Sequence, residues 1–206
     1  MENNRELIES YLDKILPNVG CELIYHKDYE FLIAVMLSAQ TTDKAVNNVT
    51  AILFDKYKNL QDLAKADIVD IENIIAHLGM YKVKARNVLD IANGLLDSFC
   101  GIVPSNKEDL MSLPGVGNKT AEVVRIELFK LQEFPVDTHV ARISKRLNIA
   151  KQDDDVIRVE NKLKKYFIGS DYIKLHHQFI HFGRYLCKAK NPQCENCELV
   201  AICNKK

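Results

Sequence analysis

Cys187, Cys194, Cys197 and Cys203 follow the pattern C-x6-C-x2-C-x5-C, four thiols within 17 residues. Four thiolates so close in the chain can close around one small inorganic centre. Generic spacing leaves two candidates, a tetrahedral zinc ion and a [4Fe–4S] cluster. Cysteines gathered this way point to metal rather than to disulfides. Cys21 and Cys100 stand apart among apolar neighbours and are expected to be buried thiols.

A second group of residues suits an anion. The run Leu113-Pro114-Gly115-Val116-Gly117-Asn118-Lys119-Thr120-Ala121 joins a short predicted helix, 107–112, to a longer one that starts at Asn118. Pro114 stops the first helix. Gly115 and Gly117 permit positive φ and remove side chains that would block close approach. The turn can therefore present backbone N–H groups at the positive end of the second helix, a seat for one phosphate. Such a contact positions a nucleic acid without reading its sequence. A bare Gly-x-Gly would fit a plain helix–helix turn; the full run, with a lysine two residues on, is far more specific. Lys119 stands where the field of the helix disfavours a further cation. Asp137 follows Pro135 and opens a helix at Thr138, the place of a natural N-cap.

The elements that must position these groups read as helices almost throughout. Leu7, Ile8, Tyr11, Leu12 and Ile15 recur at helical spacing, and Pro17 ends that helix. The dense apolar run 31–37 is read as a buried helix capped by Asp28. Asp43 is expected to cap the next helix, which carries Ala45, Val46, Val49, Ile52, Leu53 and Tyr57. Further helices are predicted over 67–77, 81–98, 118–131, 138–147, 154–168 and 171–187. No alternating strand pairs with hairpin turns occur, so the expected fold class is all-α. No repeat or low-complexity linker marks a boundary. The sharpest change of character is at Gln132-Glu133-Phe134-Pro135.

The composition, 47% hydrophobic and 27% charged, is that of an ordinary soluble globular protein. Zero net charge argues against an indiscriminate nucleic-acid binder. The charge is uneven, however. Residues 1–112 hold 11 Lys+Arg and 17 Asp+Glu, and residues 113–206 hold 17 and 11. A polyanion would therefore meet the second half more easily. No run of about 18 apolar residues reads as a membrane span. The polar N-terminus lacks an apolar signal core, so a cytoplasmic, monomeric protein without membrane contact is expected.

Four further stretches complete a resemblance that the hairpin begins. Leu37-Ser38-Ala39-Gln40-Thr41-Thr42-Asp43, Leu78-Gly79-Met80-Tyr81-Lys82-Val83-Lys84-Ala85, Val136-Asp137-Thr138-His139-Val140 and the terminal cysteines occur in one order along the chain. Together with Leu-Pro-Gly-Val-Gly they resemble the endonuclease III family over roughly residues 5–203. The resemblance implies an all-α, helix–hairpin–helix DNA glycosylase fold with two helical domains flanking a DNA-binding cleft. One domain is a bundle over 22–131, with the hairpin at about 107–130. The other joins 1–21 to 132–206 and carries the metal centre, which the resemblance makes a [4Fe–4S] cluster on Cys187, Cys194, Cys197 and Cys203.

The implied activity is that of a bifunctional DNA glycosylase/AP lyase of base excision repair. It would remove oxidised pyrimidines from damaged double-stranded DNA and nick 3′ to the abasic site by β-elimination. Lys119 matches the family's nucleophile and Asp137 its essential carboxylate, facing each other at the mouth of the cleft. Attack on C1′ of the sugar requires a neutral amine, whereas a free lysine is almost all ammonium at neutral pH. The helix start, and any partial burial, would favour the neutral amine; a nearby carboxylate would oppose them. Gln40 matches a residue that fills the gap left by an extruded nucleotide. Met80 stands where the family more often has leucine and matches an apolar wedge. Gly115, Val116 and Gly117 are the expected phosphate seat. Arg184, Lys188 and Lys190, around the first cluster ligand, are expected to meet further phosphates. Tyr185, His176, His177 and His181 are expected to be packing or supporting groups without a catalytic role.

Three other readings stand beside this one. Adenine glycosylases that act opposite oxidised guanine are similar, but they lack the lysine at this place and carry a further C-terminal domain. A non-catalytic helix–hairpin–helix module would bind DNA only, and the pairing of Lys119 with Asp137 argues against it. A zinc-binding structural protein is the third alternative for the cysteines.

Overall fold

A computed structural model of the chain describes residues 2–205, and every regular element among them is helical. In chain order these are α1 (Glu2–Ile15), α2 (Asp28–Leu37), α3 (Asp43–Lys56), α4 (Leu60–Ala64), α5 (Ile68–Ile74), α6 (Tyr81–Phe99), α7 (Lys107–Ser112), α8 (Asn118–Phe129), α9 (Thr138–Arg146), α10 (Val156–Tyr166) and α11 (Tyr172–His181). A π-helical turn, Phe182–Leu186, follows α11, and a 3-10 turn spans Glu198–Ile202. Among the described residues, no helix is long and apolar enough to cross a membrane.

The chain divides into two compact units. One is Glu22–Phe129; the other is built from the segments before and after it. Met1 and Lys206, which the sequence reading assigns to the second, lie outside the described residues.

In the first unit α2 is the central rod. Every residue from Tyr29 to Leu37 is buried, which explains why its apolar run shows no helical period. It packs on α3, α6 and α8, while α4 and α5 cover another side of α6. The caps differ from expectation. Asp28 and Asp43 are the first residues of their helices rather than the caps. Thr42 caps α3 by accepting the Ala45 N–H. At α2, where Lys27 is the cap position and has no oxygen to offer, the buried Glu30 carboxylate accepts the His26 N–H at 2.9 Å. The short α4, capped by Asn59, was not anticipated. Lys130 adopts φ 54° just beyond α8, ending it before the expected residue 131.

The second unit gathers around an aromatic cluster. Phe134, Phe167 and Phe179 are fully buried with rings within 6.3 Å of one another. Ile8, Tyr11 and Leu12 of α1 belong to the same core, so the start of the chain is structurally part of its end. The helix predicted over 171–187 is not continuous. It leaves α geometry at Phe182, and the Cys187 N–H bonds to the Phe182 oxygen at 2.7 Å. This wider turn changes the direction in which the chain delivers Cys187.

Candidate functional site

The hairpin is closed by its own backbone. Asn106 caps α7 by accepting the Asp109 N–H at 3.0 Å. The turn follows with Leu113 N–H to Leu110 O at 3.2 Å and Val116 N–H to Leu113 O at 3.1 Å. The first bond of α8 runs from Ala121 N–H to Gly117 O at 3.0 Å. The N–H groups of residues 118–120 therefore have no acceptor within the helix, and Gly117 has no side chain to cap them. By contrast Thr42, Asn59, Asp67, Asn106, Asp137, Asp155 and Asp171 all cap with side chains.

The two hairpin glycines act differently. Gly115 has φ 79°, and a Cβ there would lie 2.3 Å from Asn87 Nδ2 and 3.2 Å from Met36 Cγ. Gly117 does not use the positive φ open to it, and a Cβ there would meet nothing within 4 Å. It leaves open space in front of α8 instead. Val116 is buried at 5% exposure with its N–H bonded inside the turn, so its side chain and backbone shape the hairpin. Glu122, 1% exposed, accepts from Lys107 and from Asn118 Nδ2, which ties α7 to α8. Lys119 is exposed in the first turn of α8. Lys119 stands in the first turn, ahead of the buried Ala121, Glu122, Val124 and Ile126, so burial does not act on it here.

Gln40 and Met80 lie in the same unit, and both are exposed, Met80 by 56%. Each takes a left-handed backbone conformation, φ 56° at Gln40 and 57° at Met80, uncommon for residues other than glycine. Met80 is also the cap position of α6 and offers no side-chain cap.

In the other unit, Asp137 caps α9: its Oδ1 accepts the Val140 N–H at 2.7 Å, which leaves Oδ2 outside that bond. The segment before it is fixed by the buried His176, whose Nδ1 lies 3.0 Å from the Pro135 oxygen. His139 follows, with its Nδ1 3.2 Å from Arg142 Nη2. Burial lowers the His139 pKa, the nearby Asp137 opposes this, and the Arg142 and Arg184 charges add to the lowering. A guanidinium can only donate, so Nδ1 is the acceptor of this hydrogen bond, which the neutral ring allows.

Cys187, Cys194, Cys197 and Cys203 line one cavity of about 70 Å³, together with Tyr11, Arg146 and Phe182. Burial pushes the Cys197 thiol up, and burial followed by the proximity of Cys197 pushes the Tyr11 hydroxyl up to about 12. Arg142 and Arg146, one turn apart on α9, were not singled out in the sequence. Arg142 donates to Gly183 O at 2.8 Å and Cys187 O at 3.2 Å. Arg146 donates to Cys187 O and Cys187 Sγ at 3.0 Å, to Lys188 O at 2.9 Å and to Ala189 O at 3.3 Å. Gly183 allows this approach, since a Cβ there would lie 2.8 Å from His139 Cβ. The only signal in the sequence was a pair of arginines at helical spacing just after Asp137. Lys188 and Lys190 are exposed in the loop after Cys187, and Arg184 is half-buried on the π turn. Tyr185 is half-exposed, not packed away, and stacks on His181. Cys100 is exposed as well, because it occupies the left-handed position that ends α6.

Residues 33–167 match the family model of the HhH-GPD superfamily of base excision DNA repair proteins. The chain is 40% identical over 205 residues to the endonuclease III of Bacillus subtilis (strain 168), covering 98% of this chain and 94% of that one. A solved structure of a trapped endonuclease III–DNA covalent intermediate superposes with a TM-score of 0.91 at 42% identity, covering 97% of this chain and 95% of that one. A non-covalent endonuclease III–DNA complex gives a TM-score of 0.92 at the same identity and coverage.

Proposed function

This chain belongs to the endonuclease III family within the HhH-GPD superfamily, and on that premise we propose that Lys119 and Asp137 carry its chemistry. It is a base-excision DNA glycosylase with AP lyase activity whose partner is DNA. The observation that carries the proposal is the exposed Lys119 amine beside a helix terminus that its own preceding residue, Gly117, cannot cap.

The free N–H groups of residues 118–120 would hold one backbone phosphate, with Gly117 leaving room for it. Lys119 Nζ, as the neutral amine, attacks C1′ of the extruded nucleotide. The C1′–base bond breaks, the base leaves with its electron pair and takes a proton, and the sugar ring opens to a Schiff base on Lys119. Loss of the C2′ proton then expels the 3′ phosphate by β-elimination, and hydrolysis frees the amine. Asp137 has one carboxylate oxygen fixed by the Val140 N–H, which orients the other to stabilise positive charge on the sugar. Gln40 and Met80 fill the space the nucleotide vacates. Arg184, Lys188 and Lys190 supply further phosphate contacts. The substrates are oxidised pyrimidines in duplex DNA, which fits a cytoplasmic location with the chromosome. The 42%-identical enzyme trapped covalently on DNA supports the Schiff-base route.

The four cysteines suit a [4Fe–4S] cluster. They line a single cavity, and their spacing is the one that the resemblance to endonuclease III ties to such a cluster. Cys187, Cys194, Cys197 and Cys203 would be the ligands, and the bound cluster would fix the loop that carries Lys188 and Lys190. Burial raises the Cys197 thiol pKa, so holding a cluster as thiolate would release a proton there.

Borohydride trapping on an abasic duplex tests the central claim. The wild-type enzyme should form a covalent adduct. Lys119→Ala should form none while still binding the duplex, and an adduct that survives this substitution would remove Lys119 from the mechanism.

A further inference from the structure

We propose that Lys84 is a positioning residue that locks the Gln40 loop to the Met80 turn, so that the two tips enter the duplex as one rigid pair. This rests on the assignment of Gln40 and Met80 as the groups that replace the extruded nucleotide.

Lys84 lies in the first turn of α6 and is only 3% exposed. Its Nζ donates to the Ala39 carbonyl at 2.9 Å and to Thr41 Oγ1 at 2.9 Å, the two residues that flank Gln40. Its backbone N–H donates to the Met80 carbonyl at 3.0 Å. One residue therefore holds both of the left-handed, exposed positions, one by its side chain and one by its main chain. Burial lowers the Lys84 pKa with no compensating acid, so the ammonium is costly to keep there. An apolar side chain would fill the same volume without that cost. What lysine adds is a pair of charge-assisted donors that pin a strained loop on both sides of its tip.

The test is single-turnover base release from a ring-saturated pyrimidine, placed in a duplex and in the corresponding single strand. Lys84→Met keeps the length of the stem and removes the donors. It should slow release from the duplex by about tenfold. Release from the single strand, where no partner base holds the lesion in the stack, should change by less than about twofold. In a double-mutant cycle, Lys84→Met should add little once Gln40→Ala is present. It should likewise add less than its full effect to Met80→Ala, because a pair that enters as one body is already broken there. If Lys84→Met folds poorly, Thr41→Val removes one acceptor and should give the same order of effects at smaller size.

Equal losses on the two substrates, no loss on either, or full additivity with Gln40→Ala would overturn the role of Lys84. If Gln40→Ala by itself left duplex release unchanged, the assignment of Gln40 would fall, and the inference about Lys84 with it. The single-mutant and double-mutant arms therefore separate the two failures.

Discussion

The hairpin turn over 113–119 is shaped by bonds between residues three or four apart, such as Val116 N–H to Leu113 O. The loop that begins at Cys187 is held by Arg142 and Arg146, which lie 45 and 41 positions earlier in the chain. The first region presents main-chain N–H groups and keeps side chains out of the way. The second presents side chains and uses guanidinium groups to tie down carbonyls that have no helix or sheet to satisfy them. A turn made of local bonds can be specified by glycine placement. A loop without regular structure needs distant donors or a metal centre.

The largest expected effect separates the two glycines of the hairpin. Gly115→Ala forces an alanine to φ 79° and drives its methyl group into Asn87. Chemical denaturation should show a loss of about 3 kcal/mol. Gly117→Ala meets no neighbour and needs no positive φ, so its stability cost should stay below about 1 kcal/mol. Its methyl group would instead stand where the phosphate approaches, and binding to an abasic-site duplex should weaken. If Gly117→Ala binds DNA as tightly as wild type, the open space before α8 is not the phosphate seat.

The corresponding break in the second unit is Arg146→Ala. It removes donors to Cys187 Sγ and to three carbonyls of the loop. A loss of about 2 kcal/mol is expected in the unfolding free energy. The iron content per chain after purification should fall, and visible absorbance should bleach faster on dilution. Unchanged iron content and bleaching would mean that the cysteines alone hold the loop, and the contrast between the two regions would weaken.

The same contrast explains what could be read from the sequence. The hairpin was legible down to single residues because its determinants are contiguous; which glycine supplies the positive φ and which the open space was not, since the residue type allows both. The spacing of the four terminal cysteines was equally plain. Arg142, Arg146 and Gly183 were not, because their function is defined by partners that only tertiary packing supplies. Lys84 entered only as part of the run 78–85, and nothing local shows that its side chain turns inward to Ala39 and Thr41. The split of the helix predicted over 171–187 at Phe182 also escaped detection. Phe182-Gly183-Arg184-Tyr185-Leu186 contains no proline, and the close approach of His139 at Gly183 is what distinguishes it from ordinary helix.

The smallest expected effect concerns His139, between the capping Asp137 and Arg142. Burial and the neighbouring guanidinium groups lower its pKa in the folded chain, against an opposing pull from Asp137. The unfolded chain therefore takes up a proton at higher pH than the folded one. The resulting stability is fully present above about pH 6.5, the unperturbed value for histidine. It drains away as the pH falls from there through the lowered folded value, because protonation would place a cation against Arg142 Nη2, 3.2 Å from Nδ1. His139→Gln keeps an acceptor for Arg142 without a titrating ring. Thermal unfolding followed from pH 8 to 5 should show the wild type losing more stability than the variant across the acid side. Parallel curves would mean that His139 does not sense pH, and that Arg142 is placed by Gly183 and Cys187 alone.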